Sequence, residues 1–453
     1  MTQPITCIIL AAGKGTRMKS QTHKVLHKVA GRSLLGHVLA GVEPLTPAQT
    51  VVVVGAGRDQ VEAAIAGSAG VTTALQEPQY GTGHAVLAAK LEVETSVGIT
   101  LILYGDVPFV PTDIMAQMTA TAAQQGGPVI LGFDADNPGA YGRLVLGADA
   151  MLERIVEAKD ASTDELAITL CNSGIMAAPT EQLFSLLDAV GNNNAAGEYY
   201  LTDIVAIART RRLSVNVVQA DEVDVMGVNS RADLAVAEKV FQQQRRQEMM
   251  DGGVTLQAPD TVFFQADTTV GPDVVIEQNV VFGPGVSIES GAIIRAFSHL
   301  EGCHVESGAS VGPYARLRPG AQIGANAKVG NFVEVKNARL AAGAKASHLS
   351  YIGDADVGQN ANIGAGTITC NYDGYFKYRT VIGSGAFIGS NTSLIAPVTI
   401  GENAITGAGS AIAKDVEAGA LGITRAPQST KAGWASRFMA MMSAKKAAKK
   451  KSA

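Results

Sequence analysis

VGPDVVIEQNVVFGPGVSIESGAIIRAFSHL, residues 270–300, carries an aliphatic or aromatic side chain at every sixth position: Val270, Ile276, Phe282, Ile288, Ile294 and Leu300. After a slip of one residue the series runs on through Val305, Val311, Leu317, Ile323, Val329 and Val335. It returns at Val357 and Ile363, and again at Ile382, Ile388, Leu394 and Ile400. Glycine often follows the aliphatic residue, as in Ile323-Gly324, Val329-Gly330 and Ile388-Gly389. A six-residue repeat is the pattern of a parallel β-helix, whose coils bury their apolar side chains only by stacking on one another. A β-sandwich would instead alternate with period two and place turn clusters every ~8–12 residues. Two stretches interrupt the period, residues 337–351 (NARLAAGAKASHLSY) and 369–381 (TCNYDGYFKYRTV), and are expected to project as loops. Insertions of this kind are where repeat proteins commonly carry chemistry.

Ahead of the repeats the pattern is different. ITCIIL (5–10), VVVVGAG (51–57) and ITLILYGD (99–106) are continuous apolar runs, as expected of strands covered on both faces. The intervening segments SLLGHVLAGV and DQVEAAIAG suit helices. Alternating strand and helix implies a mainly parallel, doubly wound sheet. SRADLAVAEKVFQQQRRQEMM (230–250) begins with Ser-x-x-Asp and lacks interior Gly or Pro, so it reads as a capped helix connecting the two regions. The expected division is residues 1–229, a linker helix over 230–250, and residues 251–453. The lysines at 445, 446, 449, 450 and 451 read as a solvated, disordered tail.

Composition sets further bounds. The chain has 453 residues, 47 % of them hydrophobic and 17 % charged, with a net charge of −5. That is globular and lacks the basic footprint of a general nucleic-acid binder. The N-terminus shows no signal-peptide pattern, and no apolar run approaches the ~20 residues of a membrane span. The four cysteines are scattered and form no C-x-x-C. Reduced thiols in a cytoplasm are the simpler reading.

LAAGKGTRM, residues 10–18, follows the first strand. Doubly wound sheets bind ligands beyond the carboxyl ends of their strands. A glycine-rich turn there lets backbone N–H groups approach an anion, and Lys14, Arg17 and Lys24 could neutralise a triphosphate. The stretch is neither a P-loop nor the dinucleotide fingerprint. Taken alone, it fits a structural turn as well as a phosphate loop.

The stretch has company. LAAGKGTRM with HKVL (23–26) resembles the signature of sugar-1-phosphate nucleotidyltransferases, with His23 standing where that family often has proline. QYGTGHA (79–85), LYGDVP (103–108), AYGR (140–143), VEAKDA (156–161), CNSG (171–174), GEYYLTD (197–203) and GVNSR (227–231) follow in order. With the repeats, they resemble the bifunctional uridylyltransferase/acetyltransferase family that makes UDP-N-acetylglucosamine, over residues 1 to about 436. The resemblance implies an α/β doubly wound (Rossmann-like) nucleotidyltransferase domain followed by a left-handed parallel β-helix of hexapeptide repeats. The implied activities are acetylation of glucosamine-1-phosphate by acetyl-CoA, then transfer of UMP from UTP to the product with release of pyrophosphate. This would feed peptidoglycan and lipopolysaccharide synthesis. Leu10, Ala11, Ala12, Gly13, Tyr104 and Gly105 would line the nucleotide pocket, with Lys24 on phosphate. Gln76, Gly81 and Thr82 would read uracil. Gly142, Glu157 and Asn172 would hold the sugar, and Asp106 and Asn229 would hold Mg²⁺. A hard cation favours such oxygen donors and offsets the repulsion between two reacting anions.

In the repeat domain, KASHLSYIGD (345–354) resembles the active-site segment of the hexapeptide acyltransferases. This makes His348 the expected general base, since an imidazole titrates near neutrality. Arg318 (in RLRPG), Lys336 (in NFVEVKNA), Tyr351 and Asn362 would form the acceptor site. Ala365, Asn371, Tyr372, Ser390, Ala408 and Arg425 would bind acetyl-CoA. Cys370 would be a bystander, because direct attack by an amine needs no thiol nucleophile. The family is a homotrimer with acetyl-CoA between neighbouring prisms, and no nucleic acid or membrane is implied as a partner. The other readings are a nucleotidyltransferase of different specificity with a purely structural β-helix, and a non-catalytic subunit of the translation-factor-exchange type. The latter need not keep Lys24, Asp106 and Asn229 together.

Overall fold

A computed structural model describes residues 3–93, 97–194 and 197–451. The chain divides into two compact units, one of residues 1–248 with 264–266, the other of residues 249–263 with 267–453.

In the first unit a sheet runs in the spatial order Val71–Leu75, Gln49–Val54, Ile5–Leu10, Ile99–Tyr104, Leu170–Pro179, Val129–Asp134 and Asn216–Gln219. All neighbours are parallel except Leu170–Pro179, which runs antiparallel to both of its partners. The apolar runs are explained by helices on both faces. Cys7 and Ile9 face one core, with Leu35 and Val38 of helix Leu34–Val42 and Met115 and Met118 of helix Thr112–Gln125. Ile8 and Leu10 face the other, with Ala85 and Val86 of helix Thr82–Ala88 and Leu183 and Phe184 of helix Thr180–Leu187. Alternate side chains of one strand therefore enter different cores, so the strands are apolar on both faces apart from buried threonines such as Thr6 and Thr100. A hairpin of Arg143–Leu146 and Leu152–Val156 joins the interior strand Leu170–Pro179 through the Cys171–Arg143 pairing.

The helix expected over 230–250 spans Arg231–Asp251. Its start is capped from both sides. The Asp233 carboxylate accepts from Asn229 N and Ser230 N at 3.0 and 2.8 Å, and Ser230 Oγ accepts from Asp233 N at 3.2 Å. The helix up to Glu248 packs within the first unit. There the buried Gln242 amide donates to Phe264 O and accepts from Phe264 N, at 2.7 and 2.9 Å.

The second unit is built of three parallel sheets with ten, eight and eight strands among the described residues. Consecutive strands step from sheet to sheet, and the aliphatic column fills the interior: Ile276, Phe282, Ile294, Leu300, Val305, Val311, Leu317 and Ile323 are fully buried. Residues 337–351 do not project. Arg339–Leu340, Lys345–His348 and Tyr351–Gly353 each join one of the three sheets and continue the coils. The period is hidden there because Leu340 and Val357 each arrive one residue early and the corner between them is Ala346, itself fully buried. The second excursion is real but shorter than 369–381, because strands Ile368–Cys370 and Thr380–Ile382 bracket residues 371–379. The lysine-rich end, expected as disordered, forms an exposed helix, Trp434–Lys451. Alanine and lysine are both strong helix formers, which a reading of charge alone leaves out.

One corner shows why glycine and asparagine recur. Asn326 and Asn360 adopt left-handed φ values of 57°, alternating along the stack with Gly308 and Gly343 at 68° and 69°. A Cβ on Gly343 would lie 2.2 Å from Asn360 Oδ1, whereas one on Gly291, higher in the same column, would meet nothing within 4 Å. Gly291→Ala is expected to cost about 1 kcal/mol, from left-handed backbone alone. Gly343→Ala should cost a further ~1–3 kcal/mol from the overlap. Denaturant midpoints of the two variants measure the difference.

Candidate active sites

The first site lies where Ile5–Leu10 and Ile99–Tyr104 end. These strands pair in parallel register, Leu10 beside Tyr104, and Gly105 N donates to Leu10 O at 2.9 Å. The LAAG turn and the YGD turn therefore emerge at one level. They open into a cleft of about 630 Å³. Its walls include Leu10, Ala11, Ala12, Gly13, Lys24, Gln76, Gly81, Thr82, Tyr104, Asp106, Glu157 and Asn172, all expected from sequence. Gly105 and Gly142 stand behind the wall, and Gly142 O accepts from Asn172 N at 2.8 Å.

Chain closure explains the remainder. The buried Gln76 donates from Nε2 to Gly81 O at 2.9 Å, and Gly83 N donates to Tyr199 O at 2.8 Å. Leu201 N donates to Thr82 Oγ1 at 3.1 Å, so the GEYYLTD segment folds over the QYGTG segment. It brings Glu198, Tyr200 and Thr202 into the wall. Gln79 and Lys159 also line the cleft, and the Lys159 ammonium lies 5.8 Å from the Tyr200 ring centroid. None of these five was anticipated. Lys159 was the most findable, being a cation two residues after Glu157. Tyr104 is half-buried beside Asp106 and Glu157, and desolvation first, then these charges, pushes its hydroxyl pKa up.

Asn229, outside the wall, is held next to Asp106 by a bond from Val228 N to Asp106 O at 2.9 Å. Lys24 Nζ sits 2.5 Å from Asp106 Oδ2 and 3.1 Å from Asn229 Oδ1. Two hard oxygen donors thus converge on one point already held by a positive charge, an arrangement that fits a divalent cation completed by substrate phosphate and water.

The second site is built by the coils. Asn331 and His348 pair across neighbouring strands. His348 is exposed, and its Nδ1 lies 2.6 Å from Asn331 Oδ1. Because the amide oxygen can only accept, the imidazole proton is assigned to Nδ1, leaving the Nε2 lone pair outward. Strand register carries this column on through Ala365, Ser390 and Ala408 on successive coils. Small side chains there leave a shallow track, at the end of which Arg425 Nη1 donates to Ala408 O at 2.8 Å. Arg318 Nη1 donates to Glu334 Oε1 at 2.8 Å, and Glu334 pairs with Tyr351. Asn362 lies on the strand next to that of His348. The Lys336 ammonium has Lys377, from the excursion, within hydrogen-bonding reach, which lowers its pKa. Lys377 was not anticipated, because only the loop's return brings it there. The loop is anchored by Asn371 Nδ2 donating to Asp354 Oδ2, 2.5 Å apart, while Tyr372 is exposed. His37, by contrast, is a core residue, its Nε2 2.9 Å from Val29 O.

Residues 7–178 match the family described as MobA-like NTP transferase domain, and residues 267–302, 302–337 and 379–414 match bacterial transferase hexapeptide (six repeats). The class is therefore a nucleotidyltransferase domain joined to a left-handed β-helix transferase. The chain is 55 % identical over 453 residues, all of both chains, to "Bifunctional protein GlmU" of Sphingopyxis alaskensis (strain DSM 13593 / LMG 18877 / RB2256). It is 57 % identical over 445 residues, 98 % of this chain and 99 % of the relative, to the protein of that name from Ruegeria sp. (strain TM1040). The counterpart in Jannaschia sp. (strain CCS1) is 53 % identical over 450 residues, 99 % of each. The chain belongs to the GlmU family of bifunctional enzymes. Among the described residues no helix is long and apolar enough to cross a membrane.

Burial pushes the thiols of Cys7 and Cys303 up to about 12, and Cys171 is also buried and shifted upward. Only Cys370 is partly exposed. A thiol reagent such as DTNB at neutral pH should label Cys370 rapidly in the folded protein and all four cysteines only after denaturation. Rapid labelling of a second thiol would contradict this packing.

Proposed function

We propose that the second unit acetylates glucosamine-1-phosphate and the first couples the product to UMP, making UDP-N-acetylglucosamine from UTP, with Mg²⁺ as the cation. What supports this reading is that groups suited to one step converge at the strand ends of the first unit, and groups suited to the other converge on the coils of the second.

In the acetyl transfer, His348 Nε2 takes the proton as the substrate amine attacks the thioester carbonyl of acetyl-CoA. The new N–C bond forms, the C–S bond breaks, and coenzyme A leaves as the thiol after protonation. Asn331 holds the imidazole in the tautomer that can accept. Arg318, Lys336 and Lys377 offer positive charge to the sugar phosphate, with Tyr351 and Asn362 completing the acceptor site. The Ala365–Ser390–Ala408 track, with Arg425, Asn371 and Tyr372, takes the coenzyme. Cys370 plays no part.

In the uridylyl transfer, the sugar phosphate oxygen attacks the α-phosphorus of UTP, one P–O bond forms and the bond to pyrophosphate breaks. Lys24 and the turn at Leu10–Gly13 receive the phosphates, Gln76, Gly81 and Thr82 hold the uracil, and Glu157, Asn172 and Gly142 hold the sugar. Asp106 and Asn229 would hold the cation, which would supply charge neutralisation at the phosphates.

The active assembly is a homotrimer working in the cytoplasm. What supports the trimer is a ladder at one corner of the prism. Phe297, Tyr314 and Phe332 stack at centroid distances of 4.9 and 5.3 Å, with Leu349 following in the column. All four hold left-handed φ between 52° and 59° while remaining 47–60 % exposed. Bulky side chains in that conformation, each costing of order 1 kcal/mol, and turned toward solvent, suit an interface. Tyr314→Ser combined with Phe332→Ser should lower the mass measured by light scattering from trimer toward monomer.

The function is tested by a substrate matrix on the purified protein. Glucosamine-1-phosphate with acetyl-CoA should release free coenzyme A, and UTP with N-acetylglucosamine-1-phosphate should release pyrophosphate. His348→Ala should remove only the first activity and Asp106→Ala only the second. Loss of both from either change would refute the assignment of separate sites. Retention of the second alone in the wild type would leave the β-helix a structural element.

A further inference from the structure

The oxygens assigned to the cation are not idle in this structure. Asp106 Oδ2 and Asn229 Oδ1 both engage one ammonium, Lys24 Nζ, at 2.5 and 3.1 Å. The lysine and aspartate side chains are only 15 % and 13 % exposed. The ammonium thus stands at the point on which the two oxygens converge. A divalent cation and an ammonium cannot share it, because like charges at contact distance in a poorly solvated cleft repel strongly.

The surroundings fix the base of Lys24 and leave its head free to move. Val25, its neighbour, is buried in the core. Gly15 lies so close that a Cβ there would come within 2.5 Å of Lys24 Cβ. The four-carbon stem beyond is unbranched, and the same cleft contains the Leu10–Gly13 turn, where nucleotide phosphates would lie. Phosphate is a stronger partner for an ammonium than a carboxylate already needed by a metal.

We propose that Lys24 is the resident counter-ion of the cation site: its ammonium excludes the divalent cation until a nucleotide phosphate draws it away, so cation and nucleotide enter as one unit. This rests on the assignment of Asp106 and Asn229 as cation ligands. The lysine therefore has two partners in succession, the carboxylate in the ligand-free protein and phosphate in the complex. Its charge is never left unpaired in either state. The apparent cation affinity of the free protein is reduced by the fraction of molecules with the ammonium in place.

The test is titration of Mn²⁺ into the full-length protein without nucleotide, with free Mn²⁺ read by electron paramagnetic resonance. Lys24→Met, which keeps the stem and removes the charge, should bind one Mn²⁺ at least ~10-fold more tightly than the wild type. Equal affinity of the two proteins overturns the proposal. Lys24→Gln serves if the methionine variant does not fold. The wild type is also decisive by itself, because one equivalent of tightly bound Mn²⁺ in the absence of nucleotide would overturn the proposal. A second arm measures UTP binding with and without Mn²⁺ in the wild type and Asp106→Asn. If the variant keeps the full Mn²⁺-dependent tightening, the assignment of the cation ligands fails rather than the role of Lys24.

Discussion

In-register pairing of parallel strands is the constraint on which both sites depend. In the first unit it sets Leu10 beside Tyr104, so that two turns distant in the chain leave the sheet at the same level. Backbone bonds continue the alignment past the strand ends, from Gly105 N to Leu10 O and from Ala11 N to Val53 O, each 2.9 Å. In the second unit the same kind of pairing sets Asn331 beside His348, one coil apart. A slip of one residue in either sheet would turn the relevant side chains to the opposite face. The buried aliphatic columns prevent such slips, which ties catalysis to core packing.

The two proposed sites differ in how their charges are arranged. The cleft at the strand ends mixes charges, with Lys24 and Lys159 beside Asp106, Glu157 and Glu198, and pairs the Lys24 ammonium with the Asp106 carboxylate before ligand arrives. The proposed acceptor region on the coils lies at the surface and brings Lys336 and Lys377 together, with Arg318 adding repulsion that lowers the Lys336 pKa further. An anion there relieves repulsion on binding. A group that transfers between phosphates needs charges that can exchange partners, whereas a site that only holds a phosphate while an amine reacts elsewhere can keep its cations fixed.

Much of this was legible in the sequence where the physics is local. The six-residue period exposes the prism because each corner needs one apolar side chain. The unbroken apolar runs at 5–10, 51–54 and 99–104 expose a sheet covered on both faces. Legibility failed where a small residue took a large one's place: Ala346 in the interior, with early arrival of Leu340 and Val357, disguised three ordinary coil edges as a loop. The antiparallel direction of Leu170–Pro179 leaves no mark on composition. Of the first cleft, the residues in turns directly after strands were identifiable by type and resemblance. Glu198, Tyr200 and Thr202 were not, because their place depends on a long-range closure over Gly81–Gly83 that no local pattern encodes. Lys377 is the same case on the coils.

The central claim is that strand register within each unit aligns the residues that this chain contributes to that unit's site. A crystal structure of the full chain with UTP, a divalent cation and coenzyme A tests it most directly. The account predicts the nucleotide phosphates against the Leu10–Gly13 turn beside Lys24, and the coenzyme along the column from His348 through Ala365 and Ser390 to Ala408. Nucleotide bound away from Asp106, or coenzyme on a face without His348, would contradict it.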